Sequence, residues 1–328
     1  MNTFSFLTYI RYSAKSIPDL KYFPRLLIYI LASIAMLPFH WIELLVYGRR
    51  IKNHKLEHPP VIILGHWRSG TTYLQRLLCA HSHTAYLTQY ESLLPLGTRI
   101  HGFLFRPIMK LVFSVFKVQH PAHQIPMTVD FPSEEDIALI SAGFPYSAMW
   151  GHIYSRDAIP FFEKYLIFKN GSKEQKVFFR YYSYLANRIA FFNKGKHLVL
   201  KTPANTTRIK ELIQLYPDAK FIYISRDKEE VYHSTIKLLQ NNKIHWLQTM
   251  SREKMDEVFD YGYKHTLEEY ERTKSLIPPA NLIELSMKEQ IESPVTVLKK
   301  LYPFLNWNIT EEQKDDLSRF LRKNHRKK

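Results

Sequence analysis

The stretch Val61-Ile62-Ile63-Leu64-Gly65-His66-Trp67-Arg68-Ser69-Gly70-Thr71-Thr72, with the helical continuation YLQRLLCAH to residue 81, constrains this chain more than any other. Four consecutive apolar residues, 61–64, predict a strand buried on both faces. The spacing of Leu74, Leu77 and Leu78 predicts a helix over 71–79. A strand that passes through a small-residue loop into a helix aims backbone N–H groups and the positive end of the helix dipole at one point. Ser69, Thr71 and Thr72 add hydroxyl donors there. Such a cradle suits a phosphate or a sulfate.

One position decides which anion chemistry fits. A nucleotide-hydrolysing loop reads G-x-x-x-x-G-K-[ST]; Gly65 and Gly70 keep that spacing, but Thr71 stands where the lysine belongs. The cation sits inside the loop instead, as Arg68, whose planar guanidinium can grip a tetrahedral anion through two bonds. No later strand offers a carboxylate placed to hold Mg²⁺, which disfavours metal-assisted use of ATP.

At 328 residues the chain can bury a full core, and no Gly/Ser-rich linker or repeat divides it. The expected fold class is α/β: a P-loop-like three-layer fold with a central parallel sheet flanked by helices, over residues 56–310. An N-terminal apolar helical appendage, 1–55, and a basic tail, 311–328, complete the chain. A hydrophobic content of 45% and an aromatic content of 14% exclude a disordered chain. The net charge of +16, from 46 Lys and Arg against 30 Asp and Glu, suits a polyanionic ligand or an anionic membrane and does not choose between them. The single cysteine, Cys79, excludes an intramolecular disulfide and fits a reducing compartment.

Residues 26–46 are apolar apart from Ser33, His40 and Glu43, with Pro38 near the middle and basic residues on both sides. A transmembrane helix, an in-plane anchor and a buried helical hairpin all fit, and the in-plane anchor is favoured. A cytoplasmic protein, peripheral on the membrane, is the corresponding expectation. Further on, 86–97 leaves the helical period and carries Glu91. Residues 101–124 combine basic, aromatic and Met residues at helical spacing, which fits the wall of an apolar site, a second membrane contact or ordinary core. His120 and His123 flank Pro121 without a matching ligand set, so no metal is expected. Ser133, followed three residues later by Asp136, reads as the capped start of a helix.

A second apolar strand, 197–200, runs into Lys201-Thr202-Pro203. Pro203 stops the ladder, which delivers Lys201 at the carboxyl end of a buried strand, where open α/β sheets bind ligands. A third strand, 221–225, ends at Arg226-Asp227, and the helix after it carries Ser234.

The loop RSGTT, the strand end LKTP and the segment ISRDKEEVYHS resemble, in order and spacing, the motifs of the sulfotransferase family. The resemblance spans about 61–240. It implies the donor 3′-phosphoadenosine-5′-phosphosulfate (PAPS), with Arg68, Ser69, Gly70, Thr71 and Thr72 at the 5′-phosphosulfate, Arg226 and Ser234 at the 3′-phosphate, and Lys201 neutralising the transferring group. Two departures stand out. Members acting on small phenols and steroids carry a basic His after the Lys-Thr pair, where this chain has Pro203. Lys228 also replaces a common Pro. Branches with RSGTT, such as the tyrosylprotein sulfotransferases, use a Glu shortly past the first helix, and Glu91 matches it by position. The resemblance therefore implies sulfuryl transfer with Glu91, Arg68 and Lys201 as catalytic residues, onto a hydroxyl of a lipid-like, sterol-like or glycan acceptor, with no nucleic acid partner. A P-loop kinase-like phosphotransferase and a non-enzymatic basic protein of membranes or polyanions are the rivals.

Overall fold

The structure, a computed structural model, describes residues 5–119, 126–241, 243 and 245–308. The basic tail 311–328 and the pair His120 and His123 lie outside those residues. Five strands form one parallel sheet: β1 (Val61–Leu64), β2 (Thr84–Ala85), β3 (His197–Lys201), β4 (Lys220–Ser225) and β5 (Leu282–Ser286), in the order β2-β3-β1-β4-β5. The three expected strands are present to within a residue at each end.

Helices α1 (Ser5–Lys15), α2 (Phe23–Ala35) and α3 (Leu37–Lys52) precede β1, and α4 (Thr71–Cys79) leaves the loop after it. Between β2 and β3 run α5 (Gln89–Leu93), α6 (Thr98–Val115), α7 (Glu135–Ser141), α8 (Trp150–Ile153), α9 (Ala158–Tyr165) and α10 (Lys173–Phe191). The helix α11 (Ile209–Leu215) joins β3 to β4, while α12 (Lys228–Asn241) and α13 (Arg252–Thr273) join β4 to β5. The chain then forms α14 (Met287–Glu292) and α15 (Pro294–Leu305).

Strand alternation sorts the side chains into two cores. Val61 and Ile63 of β1 join Ile222, Ile224 and the α4 and α15 leucines on one side, while Ile62 and Leu64 join Leu198, Leu200, Phe221 and the aromatic residues of α9 and α10 on the other. A strand that is apolar at every position is thus buried on both faces, and the result is three layers.

The N-terminal appendage packs onto this domain. Tyr9 and Tyr12 of α1 meet the Trp150 ring edge-on at 5.1 and 5.2 Å. Helices α2 and α3 do not fold back as a hairpin: Met36 between them keeps right-handed helical angles (φ −82°, ψ −11°), and Met36 N–H and His40 N–H continue the helical hydrogen bonds to Ala32 and Met36. The result is one rod, with Pro38 in the first turn of α3. Glu43 of α3 pairs with Arg188 of α10 at 2.7 Å, both buried, and also accepts the Arg99 N–H at 2.7 Å. At Gly97 the chain passes so close to α3 that a Cβ would fall 2.4 Å from the Phe39 carbonyl carbon, which fixes α6 against α3.

The start of α7 differs from its expected form. Glu134, not Ser133, is the N-cap residue, and its side chain makes no capping bond. Ser133 instead donates to Ser92 Oγ at 2.8 Å.

Candidate active site

The crevice forms where β1 lies between β3 and β4, because the carboxyl ends of all three strands then meet at one edge. The loop from Gly65 to Gly70 fills that edge. Gly65 donates its N–H to Thr206 Oγ1 at 2.8 Å, which ties the loop to the segment beyond β3. A Cβ on Gly65 would fall 2.6 Å from Ser69 Oγ and 2.7 Å from the Ile224 carbonyl, so only glycine lets the loop turn there. Arg68 takes a left-handed conformation (φ 73°), a strain of about 1 kcal/mol or more that surrounding contacts must hold.

Those contacts link Arg68, expected at the 5′ end of the donor, to both residues expected at its 3′-phosphate. Arg68 Nε donates to Ser234 Oγ at 3.0 Å, and Arg226 Nη1 donates to the Arg68 carbonyl at 2.9 Å. Arg226 Nε also bonds Glu230 at 2.8 Å. Lys228 opens α12. Burial and the nearby Arg226 pull the Arg68 guanidinium below its usual range, and the Glu134 charge opposes them.

Lys201 ends β3 as expected and is 1% exposed. Its ammonium donates to Thr72 Oγ1 at 3.3 Å and to Glu134 Oε1 at 2.5 Å. The three acidic residues at 134–136 make different bonds: Glu134 meets the Lys201 ammonium, Glu135 the Lys201 backbone and Asp136 the Arg208 guanidinium. Glu135 accepts the Lys201 N–H at 3.1 Å, and Asp136 grips Arg208 with both oxygens at 2.9 and 3.0 Å. Burial pushes the Glu135 carboxyl up to about 8, while Glu134 is left facing Lys201 and, electrostatically, Arg68. Glu134 is the functional candidate that sequence reasoning missed.

Glu91, expected as the base from its position past the first helix, also has a local structural role. Thr88 and Glu91 form a capping box at the start of α5: the Thr88 N–H and hydroxyl donate to Glu91 Oε2 at 3.1 and 2.9 Å, and the Glu91 N–H returns to Thr88 Oγ1. Its other oxygen faces Arg99 at 3.6 Å and Arg188 at 4.0 Å. Glu91 lines a cavity of about 1130 Å³ along β2 and α6, and neither Arg68, Lys201 nor Glu134 lines it.

The loop also fits an anionic group on its own evidence. Ser69 Oγ is buried without a hydrogen-bond partner among the described residues, beside the N-terminus of α4 where Thr71 and Thr72 begin the helix. Burial holds the adjacent His66 imidazole at about 4, so it is neutral and adds no charge at physiological pH.

A parallel sheet with this loop, two arginines and a strand-end lysine converging at its edge defines an anion-binding α/β protein. The model of the Sulfotransferase family matches residues 59–311, and the chain belongs to that family. Omega-hydroxy-beta-dihydromenaquinone-9 sulfotransferase Stf3 of Mycobacterium bovis, and its counterpart in Mycobacterium tuberculosis, are each 29% identical to it over 266 residues, 80% of this chain. The chain spans 66% of the length of those curated relatives. Among solved structures, sulfotransferase STF1 from Mycobacterium tuberculosis H37Rv superposes with a TM-score of 0.74 at 16% identity, over 96% of this chain and 84% of that one. Sulfotransferase STF9 from Mycobacterium avium gives 0.68 at 18% identity, over 92% and 76%. These two share the fold.

Proposed function

We propose that this chain transfers a sulfuryl group from PAPS to the hydroxyl of a lipid-like alcohol, with Glu134 as the base. The observation that carries the reading is the meeting of Arg68, Lys201 and Glu134 beside a loop whose Ser69 hydroxyl is buried and without a partner among the described residues. The nucleotide supplies a sulfuryl group on a good leaving group. Ser69, Gly70, Thr71, Thr72 and Arg68 hold its 5′ end, and Arg226 and Ser234 hold its 3′-phosphate.

Glu134 takes the proton from the acceptor hydroxyl as that oxygen bonds to sulfur. Lys201 and Arg68 stabilise the negative charge that builds on the oxygen left behind as its bond to sulfur breaks. Drawing the Lys201 ammonium toward that oxygen loosens its pairing with Glu134, so the base is released where the charge develops. General-base catalysis of this kind contributes about 10²–10⁴-fold. The acceptor class is supported by the aromatic-rich middle of the chain and by the name of the mycobacterial relatives, which gives an omega-hydroxy dihydromenaquinone as what they sulfate.

The test is transfer of sulfur-35 from labelled PAPS, without added divalent metal, into a lipid extract and a glycan extract incubated separately. Label in the lipid fraction is expected. No transfer to either overturns the reading, and transfer to glycan alone overturns the acceptor class.

A further inference from the structure

The rod of α2 and α3 buries polar groups while it exposes a row of apolar ones. Its inward side carries Leu26 and Ile51 together with Ser33, His40 and Glu43, with Glu43 3% exposed and paired to Arg188. Its outward side carries Leu27, Leu31, Trp41 and Leu45, the last 88% exposed. Helix α6 lies against α3 through Phe39, whose ring meets His101 and Phe105 edge-on at 5.5 and 6.0 Å, and it exposes Leu104, Ile108, Leu111 and Val115 at helical spacing. In water this arrangement leaves aliphatic surface hydrated while an ion pair is desolvated, the reverse of what folding favours. It becomes favourable when a low-dielectric surface covers the outer side.

Charge identifies the cover. The only acidic residue on α2, α3 and α6 is Glu43, which is buried; the exposed charges at the end of α3 are Arg49, Arg50 and Lys52, all basic. A second copy of this chain would bring two such basic rims together on molecules of net charge +16. We propose that the face formed by α2, α3 and α6 docks on an anionic lipid bilayer with the rod lying in the plane of the membrane. By length and composition the helix Leu20–Lys52, 33 residues holding an 18-residue window of mean hydropathy 1.7, is apolar enough to cross. Crossing would strip Glu43 from Arg188, and at ~1.5 Å per residue the rod is about 50 Å long against a hydrocarbon core of about 30 Å. Arg99, Arg106 and Lys110 project from the opposite side of α6 and line the large cavity, so docking holds that cavity beside the headgroups.

The experiment is flotation of the full chain with phosphatidylcholine vesicles and with vesicles in which a third of that lipid is replaced by phosphatidylglycerol. Wild type is expected to float with the anionic vesicles and to be released by salt. The Leu45→Glu, Leu111→Glu double variant is expected to lose about tenfold or more in partitioning while keeping wild-type melting temperature and bisphosphate affinity. Wild type that ignores anionic vesicles, binds both vesicle types equally, or forms a dimer that Leu45→Glu dissociates overturns the proposal, as does a folded double variant that floats like wild type. Flotation reads no transfer, so its failure and that of the sulfuryl-transfer reading are separable.

Discussion

Lys201 Nζ lies 2.5 Å from Glu134 Oε1, joining the last residue of β3 to the residue that opens α7. Thr72 shares the ammonium at 3.3 Å, so the pair sits at the mouth of the anion loop and not in the interior alone. An ion pair with 17% side-chain exposure on the acid side gains little stability after desolvation, which points to a working role more than a structural one.

Exchanging the two candidate bases separates their roles. Glu134→Gln keeps size and a hydrogen bond to Lys201 but removes basicity, so turnover is expected to fall about 10²-fold or more with bisphosphate affinity held. Glu91→Gln is expected to keep turnover within a few-fold and to lose roughly 1–2 kcal/mol of stability, through the weakened capping box and the faded charge opposite Arg99 and Arg188. Labelled transfer and thermal melting check both. The reverse pattern in transfer would assign the base to Glu91.

The cluster of Arg68, Arg226 and Ser234 sets a second expectation. Adenosine 3′,5′-bisphosphate should bind more tightly than adenosine 5′-phosphate, without divalent metal. Ser234→Ala and Arg226→Ala should each shrink that preference by about tenfold or more. Isothermal titration measures it, and equal binding of the two nucleotides to wild type would remove the 3′-phosphate role.

Glu135 makes stability depend on pH in an unusual direction. Burial raises its native carboxyl to about 8, above its unfolded value of 4.5, so its contribution is complete below pH 4.5 and is lost as pH rises toward and through 8. Glu135→Gln retains an oxygen for the Lys201 N–H and carries no charge. Its melting temperature is therefore expected to exceed wild type by about 2 °C or more at pH 8.5 and to approach it at pH 5. A difference that is constant across that range would show that Glu135 does not ionise differently on folding.

What the sequence determined by itself was local: the all-apolar strands, the Gly65 to Gly70 loop with Thr71 where a lysine would sit, the stop at Pro203, and the order of Arg68, Lys201 and Arg226 along the chain. Each follows from spacing within a few residues, where propensity and burial period act. The pattern Thr88-Gln89-Tyr90-Glu91 also spells a capping box, the one local signal that gives Glu91 a structural role. Only the tertiary structure decided the rest. Glu134, Glu135 and Asp136 look alike in sequence as a helix start, and they are told apart by Lys201 and Arg208, which lie 66 to 72 positions away and reach them only through the parallel crossover. The rod of α2 and α3 is legible as apolar, but which side turns to Arg188 depends on what packs beneath it. A chain carries its hydropathy in one dimension, whereas a buried charge is stable only where a partner from another element meets it in three.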